Sequence, residues 1–461
     1  MQGALSRLAA LAALLSLPSA QALAAGLGGD CCADLGSRVA GLEATTARKG
    51  NKRVSLTVSG RVHANLMWWD DHAAVLDADE ATDKSHDLYF GNSASGGPLN
   101  SGGSETHIVF SGNGRISGDL SAGFLLTLKD DFTGTASQTG AQTGTAVTGD
   151  TTYVYARSAK WGEYRLGFQP SASDDAYYVD FGGPGTVGGL SGARFTGGFR
   201  LRGAGADAGE LTDVTYAHVL GELADSNDNR LVYISPSWNG FTYKSDIGAD
   251  TGSVGLYWVG GAGSLRGAFG AGYQVSRKGT GQSPGGAQAV QSASAATAGL
   301  TDATHDVLRQ LVLSASIMET KSGLFLTGEY SRAYADIAGR QDATNGFARV
   351  GWTKNVTGLG ATTLDVQYER TGNKLANHTS AHLWGAGIDQ AIDAVASNIY
   401  VHYQHDSFDT DGVVSNAATA FPGTPSLTTP AETCLANGGG NTCAVNAQSI
   451  DSVTAGMVVN F

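Results

Sequence analysis

No run of the roughly 18 apolar residues needed for a membrane-spanning helix occurs in this chain, which excludes helical passage through a bilayer. The longest apolar run, Leu8 to Leu17, is too short for it. Prolines number only 9 beside 66 glycines, a balance that does not suit a disordered linker. It suits strands that turn corners and carry small side chains. Basic residues are outnumbered 42 to 29, for a formal charge of −13. That deficit argues against nucleic acid as a partner, because phosphate binding needs a basic surface. Neither a Gly-x-Ser-x-Gly elbow nor a His-Glu-x-x-His zinc signature is present. Hydrolytic chemistry needs a nucleophile, a base and an orienting group that converge, whereas His63, His107 and His402 stand isolated. The chain is therefore expected not to be an enzyme and to need no cofactor and no metal.

What is present at the ends is informative. Arg7 precedes the apolar run, then Pro18, then Ala22-Leu23-Ala24, the small-x-small pattern of a signal-peptidase site. Residues 1–24 are expected to be a signal peptide cleaved after Ala24. Gly28-Gly29-Asp30 ahead of Cys31 and Cys32 is not the pattern of a lipidation site. Four cysteines fit an oxidising compartment. Cys434 and Cys443 flank a Gly- and Asn-rich stretch and are expected to form a loop disulfide, with a metal site as the alternative; the pairing of Cys31 and Cys32 stays open. Leu35, Val39 and Leu42 make one short helical stripe within residues 25–53. It reads either as a surface helix or frayed tail, or as a short oligomerising coil on the periplasmic side.

From Val54 the period changes to two. Val54, Leu56, Val58, Val62 and Leu66 share one face, and Ser55, Thr57, Ser59, Arg61, His63 and Asn65 share the other. Trp68-Trp69 follow where an aromatic girdle would lie. The same alternation recurs in Leu120–Lys129, Leu364–Glu369 and Asn398–Gln404. At the end, Val453, Ala455, Met457, Val459 and Phe461 form one more apolar face. A strand that runs to the carboxyl terminus suits a barrel whose last strand closes on its first, since an open edge in lipid leaves backbone groups unsatisfied. Strands are expected near 54–67, 105–113, 117–129, 151–158, 162–169, 229–236, 240–248 and 253–259. Others are expected near 264–276, 308–318, 323–333, 345–354, 361–370, 381–390, 396–405 and 449–461. Short and long connections alternate, as in an outer-membrane barrel. The fold class is thus an all-β, 16-stranded antiparallel transmembrane β-barrel over residues 54–461, behind the short helical segment.

The chain resembles the general diffusion porins of Gram-negative bacteria, most closely those of alphaproteobacteria (the Rhizobiales type). The resemblance rests on Cys32-Ala33-Asp34-Leu35, on Val39 to Gly50 and on Val54-Ser55-Leu56-Thr57-Val58-Ser59-Gly60. It also rests on Val232-Tyr233-Ile234-Ser235-Pro236-Ser237-Trp238-Asn239-Gly240-Phe241 and on the terminal Phe461. It implies a homotrimer in outer-membrane lipid, each subunit with a water-filled pore for ions and small hydrophilic solutes. It implies that Phe461 acts as a signal to the outer-membrane assembly machinery. It further implies that the third long connection, about 170–228, folds inward as a constriction. That connection carries Asp174, Asp175, Asp180, Asp207 and Asp213. Within it, Arg194–Arg202 could itself be a strand, which would shift the register. The family sets a basic cluster opposite such a loop; by side-chain parity the inward bases are Arg61, Lys129, Arg157, Arg165 and Arg266. Each of these either lines the eyelet or supports the wall by pairing with an acid such as Glu163 or Asp119. Acidic loop and basic wall oppose each other, and the sign of ion selectivity stays open. Two other classes remain: a barrel that displays long loops as a receptor or adhesin, distinguished by the absence of conductance, and a soluble exported β-sandwich, distinguished by refolding without detergent.

Overall fold

A computed structural model describes residues 54–78, 81–91, 106–130, 136–140, 147–177, 179–182, 195–203, 209, 211–221, 223, 227–249, 251–277, 307–334, 341–374, 378–410, 414–415, 442–443 and 447–461. The signal peptide, the helical stripe, Cys31, Cys32, Asp207 and Cys434 lie outside these residues.

In chain order the strands are β1 (Ser55–Asp70), β2 (His86–Gly91), β3 (His107–Ser117), β4 (Leu120–Asp130), β5 (Val147–Ser158) and β6 (Gly162–Gln169). A 3-10 turn (Asp174–Tyr177), β7 (Arg200–Arg202), β8 (Leu211–Thr215) and a single helical turn α1 (Tyr216–Val219) follow. Then come β9 (Asp228–Ile234), β10 (Phe241–Gly248), β11 (Thr251–Ala262), β12 (Leu265–Arg277), β13 (Val307–Glu319), β14 (Leu324–Tyr334) and β15 (Ala343–Lys354). The last are β16 (Thr362–Gly372), β17 (Thr379–Ile392), β18 (Ser397–Thr410), β19 (Val414–Ser415), β20 (Thr442–Cys443) and β21 (Ile450–Asn460).

All sixteen expected strands occur, each within a few residues of its expected limits. β1, β3–β6, β9–β18 and β21 pair antiparallel with their neighbours in sequence, and β21 returns to β1 with Arg61 opposite Asn460 and Asp70 opposite Asp451. Two backbone bonds tie the seam below this ladder, Gly60 N–H to Phe461 O at 2.9 Å and Phe461 N–H to Gly60 O at 3.0 Å. With the edge paired, no ladder of unsatisfied groups is left open. The short strand of residues 200–202 pairs only with β8, apart from the barrel sheet, so the register of the wall is unaffected.

The wall is apolar outside and polar inside, the reverse of a soluble sheet. On β16, Leu364, Val366 and Tyr368 point outward and are exposed, whereas Asp365, Gln367, Glu369 and Thr371 point inward and are buried. The period-two pattern of the sequence produces this directly. Two local features differ from expectation. Trp69 does not share the outward face of Trp68: alternation turns it inward, where it is 1% exposed. The long connection after Asp70 also contains a strand, β2, which pairs with the Asn65–Asp70 end of β1, while β3 pairs with the Ser55–Arg61 end.

Candidate functional site

The inside of the barrel is where polar side chains converge, and the described part of 170–228 lies there. Leaving β6, residues 171–177 and 179–182 run along the inner wall from β10 to β15. The Ala172 N–H donates to Asp246 (2.5 Å) and the Ser173 N–H to the Ser253 hydroxyl (3.1 Å). Ser173 Oγ donates to Gln274 (3.2 Å), and Ser314 Oγ donates to the Ala176 carbonyl (2.5 Å). Farther on, the Phe181 N–H reaches Ser316 Oγ (3.0 Å) and Thr327 Oγ1 donates to Asp180 (2.6 Å). Such a close approach requires glycine on β12. A Cβ at Gly272 would fall 2.7 Å from Ser173 Cβ, and one at Gly270 would fall 2.9 Å from Val179 Cγ2.

Three inward bases anchor this tract, two of them through its own acids. Asp175 pairs with Lys244 of β10. Arg349 of β15 donates Nη1 to Asp180 (2.6 Å) and Nη2 to both Asp365 (2.9 Å) and the Gly182 carbonyl (3.1 Å). Arg230 of β9 pairs with Asp246 (3.1 Å), the same carboxylate that receives Ala172. Lys244, Arg349 and Arg230 were missed in the sequence reading, although parity points to them: each alternates with outward Tyr243, Val350 or Leu231. Asp175 and Asp180 lie in a segment without a period, and Asp246 and Asp365 on other strands, so the pairing itself had no local sequence signal.

The second half of the connection forms an apolar cluster against the wall. Phe195, Phe199, Leu201, Tyr216 and Leu220 pack with Met67, Trp69, Leu383, Tyr400 and Ile450. Trp69 and Phe199 rings lie 4.9 Å apart. Polar ends are satisfied around the cluster: Tyr216 donates to the Gln448 carbonyl (2.9 Å), Lys374 Nζ to the Leu220 carbonyl (2.9 Å) and Gln404 to Thr196 Oγ1 (2.9 Å). Burial holds the Tyr216 phenol well above the ordinary tyrosine range. Arg202, 1% exposed, ties this cluster to the loop after β1. It donates Nε to Asp71 (2.8 Å), Nη2 to Asp83 (2.6 Å) and Nη1 to the Gly209 carbonyl (2.8 Å). Burial acts against the Arg202 charge, but the bonds to Asp83 and Asp71 outweigh it and hold its pKa above the ordinary value.

The bases picked out by parity all line the inside of the barrel. Arg61 donates Nε to Asn460 (3.1 Å) and stands in register with His107, which stands in register with Lys129. Lys129 Nζ is 3.7 Å from Asp150. Arg157 and Arg165 both pair with Glu163 and stack over Tyr155 (5.2 Å) and Tyr153 (4.9 Å). Arg266 lies 5.1 Å over the ring of Phe181. Asp174 and Asp175 are buried in the 3-10 turn. Asp175 and Asp180 are thus placed beside Lys244 and Arg349, not beside Arg157 or Arg165. Cys443 lies in β20, and its expected partner Cys434 is outside the described residues.

Comparison with known proteins places this barrel in context. It is similar to the anion-selective porin from Comamonas acidovorans at 17% identity and a TM-score of 0.49, over 88% of this chain and 100% of that one. The in-vitro folded OmpT of Vibrio cholerae, in a trimer form, matches at 12% identity and 0.49, over 89% and 100%. A variant of the Rh. blastica porin matches at 10% and 0.43, over 88% and 100%. No curated protein sequence matches. The sequence model of the Gram-negative porin family matches residues 8–411. The chain therefore belongs to the Gram-negative porins, and its sixteen-stranded barrel is an outer-membrane channel.

Proposed function

We propose that this porin passes ions and small hydrophilic solutes passively through a water-filled lumen, narrowed by the connection 170–228. The observation that carries the reading is the tract 171–182, hydrogen-bonded along the inner wall across β10 to β15. A segment so attached takes cross-section from the lumen along one side. The polar inner face lowers the cost of moving a charge through the bilayer, and the attached segment limits solute size. Asp174, Asp175 and Asp180 belong to this constriction, and Lys244 and Arg349 offset the charge of Asp175 and Asp180. The outward apolar face meets lipid, residues 1–24 direct export, Cys434 and Cys443 close a loop disulfide, and the subunits assemble as a homotrimer with Phe461 guiding insertion.

A second reading has one observation in its favour. The apolar cluster of Phe195, Phe199, Tyr216 and Trp69 fills part of the lumen, as it would in a closed barrel that only displays its loops. Single-channel recording separates the two. Detergent-refolded full-length protein in a planar bilayer is expected to open in groups of three equal steps. Folded protein that inserts and carries no current would overturn the channel reading in favour of display.

A further inference from the structure

The channel reading leaves the sign of its selectivity undecided, and the distribution of exposed charge within the barrel decides it. The whole chain carries −13, yet five inward acids are withdrawn from the solute path. Asp175 and Asp180 are paired with Lys244 and Arg349, and Asp246 and Asp365 are buried against Arg230 and Arg349. Asp406 is fully buried between Thr196 and Gln404.

The inward bases are distributed differently. Arg115 of β3 shares the inward face with Asn113, is exposed, and donates Nε to the Gly118 carbonyl (3.0 Å). Two strands away in the same register row, through Ser121, lies Arg157, whose side chain is 52% exposed. Arg157 and Arg165 share the single carboxylate of Glu163, which leaves one net positive charge at that point. Arg266 is exposed, and its contact is the ring of Phe181. Arg61 donates to the neutral amide of Asn460. Among the described residues, Arg61, Arg115 and Arg266 form no ion pair. The acids near the same mouth, Asp119 and Glu319, are hydrogen-bonded by Ser158 and Ser322 and keep their charge, which the exposed Lys160 and Lys321 of the adjoining turns offset.

We infer that the pore prefers anions, recognised by the Arg–Tyr wall of β3, β5 and β6 with Arg266 and Phe181 facing it. The guanidinium groups attract the charge, and the rings of Tyr155 and Phe181 give the apolar part of a small organic anion a surface to lie on. This inference rests on the channel reading, and it adds the class of solute.

The test is the zero-current potential of the refolded full-length protein in a tenfold KCl gradient, with chloride permeating better than potassium as the expected result. Arg115→Gln and Arg266→Gln remove charges that form no ion pair, so the fold has little reason to suffer. A screened interaction across about 8 Å at about 0.1 M salt predicts that each lowers the anion-to-cation permeability ratio by about twofold. The wild-type sign is read without any variant, so a poorly folding variant does not shield the inference. A potassium-selective current would overturn this inference and leave the channel reading intact. A selectivity that neither substitution changes would do the same. A protein that inserts but carries no current would overturn both.

Discussion

Replacing Arg349 with methionine tests how firmly the tract 171–182 is held to the wall. Arg349 is buried and makes two bonds to carboxylates, at 2.6 and 2.9 Å, and one to the Gly182 carbonyl at 3.1 Å. Its loss does two separable things. It leaves Asp365, 5% exposed, without its counter-charge, and it releases Asp180 and Gly182 from β15. Removing one partner of a buried pair costs about 3–5 kcal/mol. At about 1.4 kcal/mol per tenfold, the lower figure already corresponds to about a hundredfold shift toward local detachment. Amide hydrogen exchange over peptides spanning 171–182 reads that shift, because the Phe181 N–H is bonded to Ser316 and the Gly182 N–H to Asp180. Exchange there is expected to accelerate by about a hundredfold or more, with a larger single-channel conductance. Arg349→Met combined with Asp365→Asn removes the orphaned charge. It should recover most of the global stability while exchange in 171–182 stays fast. Exchange within about threefold of wild type in the single variant, with unchanged conductance, would refute the anchoring role.

Other perturbations probe different parts of the chain. Arg202→Met should destabilise the long-loop end by about 3–5 kcal/mol, since Asp71 and Asp83 both lose their buried partner; proteolysis between β1 and β2 should rise sharply, and unaltered cleavage would contradict this. Gly60→Val should reduce the fraction that migrates as folded barrel on unheated gels. Its Cβ would fall 2.5 Å from the His107 carbonyl and 2.6 Å from the Phe461 ring, an overpacking cost of about 1–3 kcal/mol at the seam; wild-type folding yield would count against it. In the β3–β4 turn, the Ser158 hydroxyl donates to Asp119 (2.6 Å) and holds that carboxyl below the ordinary range. A depressed carboxyl pKa gives stability above the unfolded pKa that is lost as pH falls through the folded one. Ser158→Ala should therefore raise the Asp119 pKa toward the usual carboxylate value in a carbon-13 NMR titration, and an unmoved titration would refute the assignment.

What could be read from the sequence followed from periodicity. Leu364 to Glu369 alternates cleanly, and the structure turns each residue to the side that alternation requires. β2 was hidden for the complementary reason. Its six residues give Leu88 and Phe90 an outward face, too short a run to stand out between polar stretches, and it lay inside what looked like one long loop. Trp69 shows where composition misleads. Two adjacent tryptophans suggest a girdle, but neighbours on a strand face opposite ways. Only one can point outward, while the other meets the ring of Phe199, a residue far from it in the sequence.

The pairing of charges was illegible for a deeper reason. Asp180 and Arg349 are 169 positions apart, and neither position carries a local signal that it will meet the other. Parity can say that a base faces inward; it cannot say whether an acid from the loop will cover it. Lys244 and Arg349 are covered, whereas Arg115 and Arg266 are not. The field that a permeating ion meets comes from the uncovered set, because a buried, compensated pair contributes little beyond its own neighbourhood. A chain with an excess of acids overall can thus present a basic lumen. On the proposed channel reading, the folding that packs Asp175 and Asp180 against Lys244 and Arg349 also removes their charge from the path that the loop would narrow.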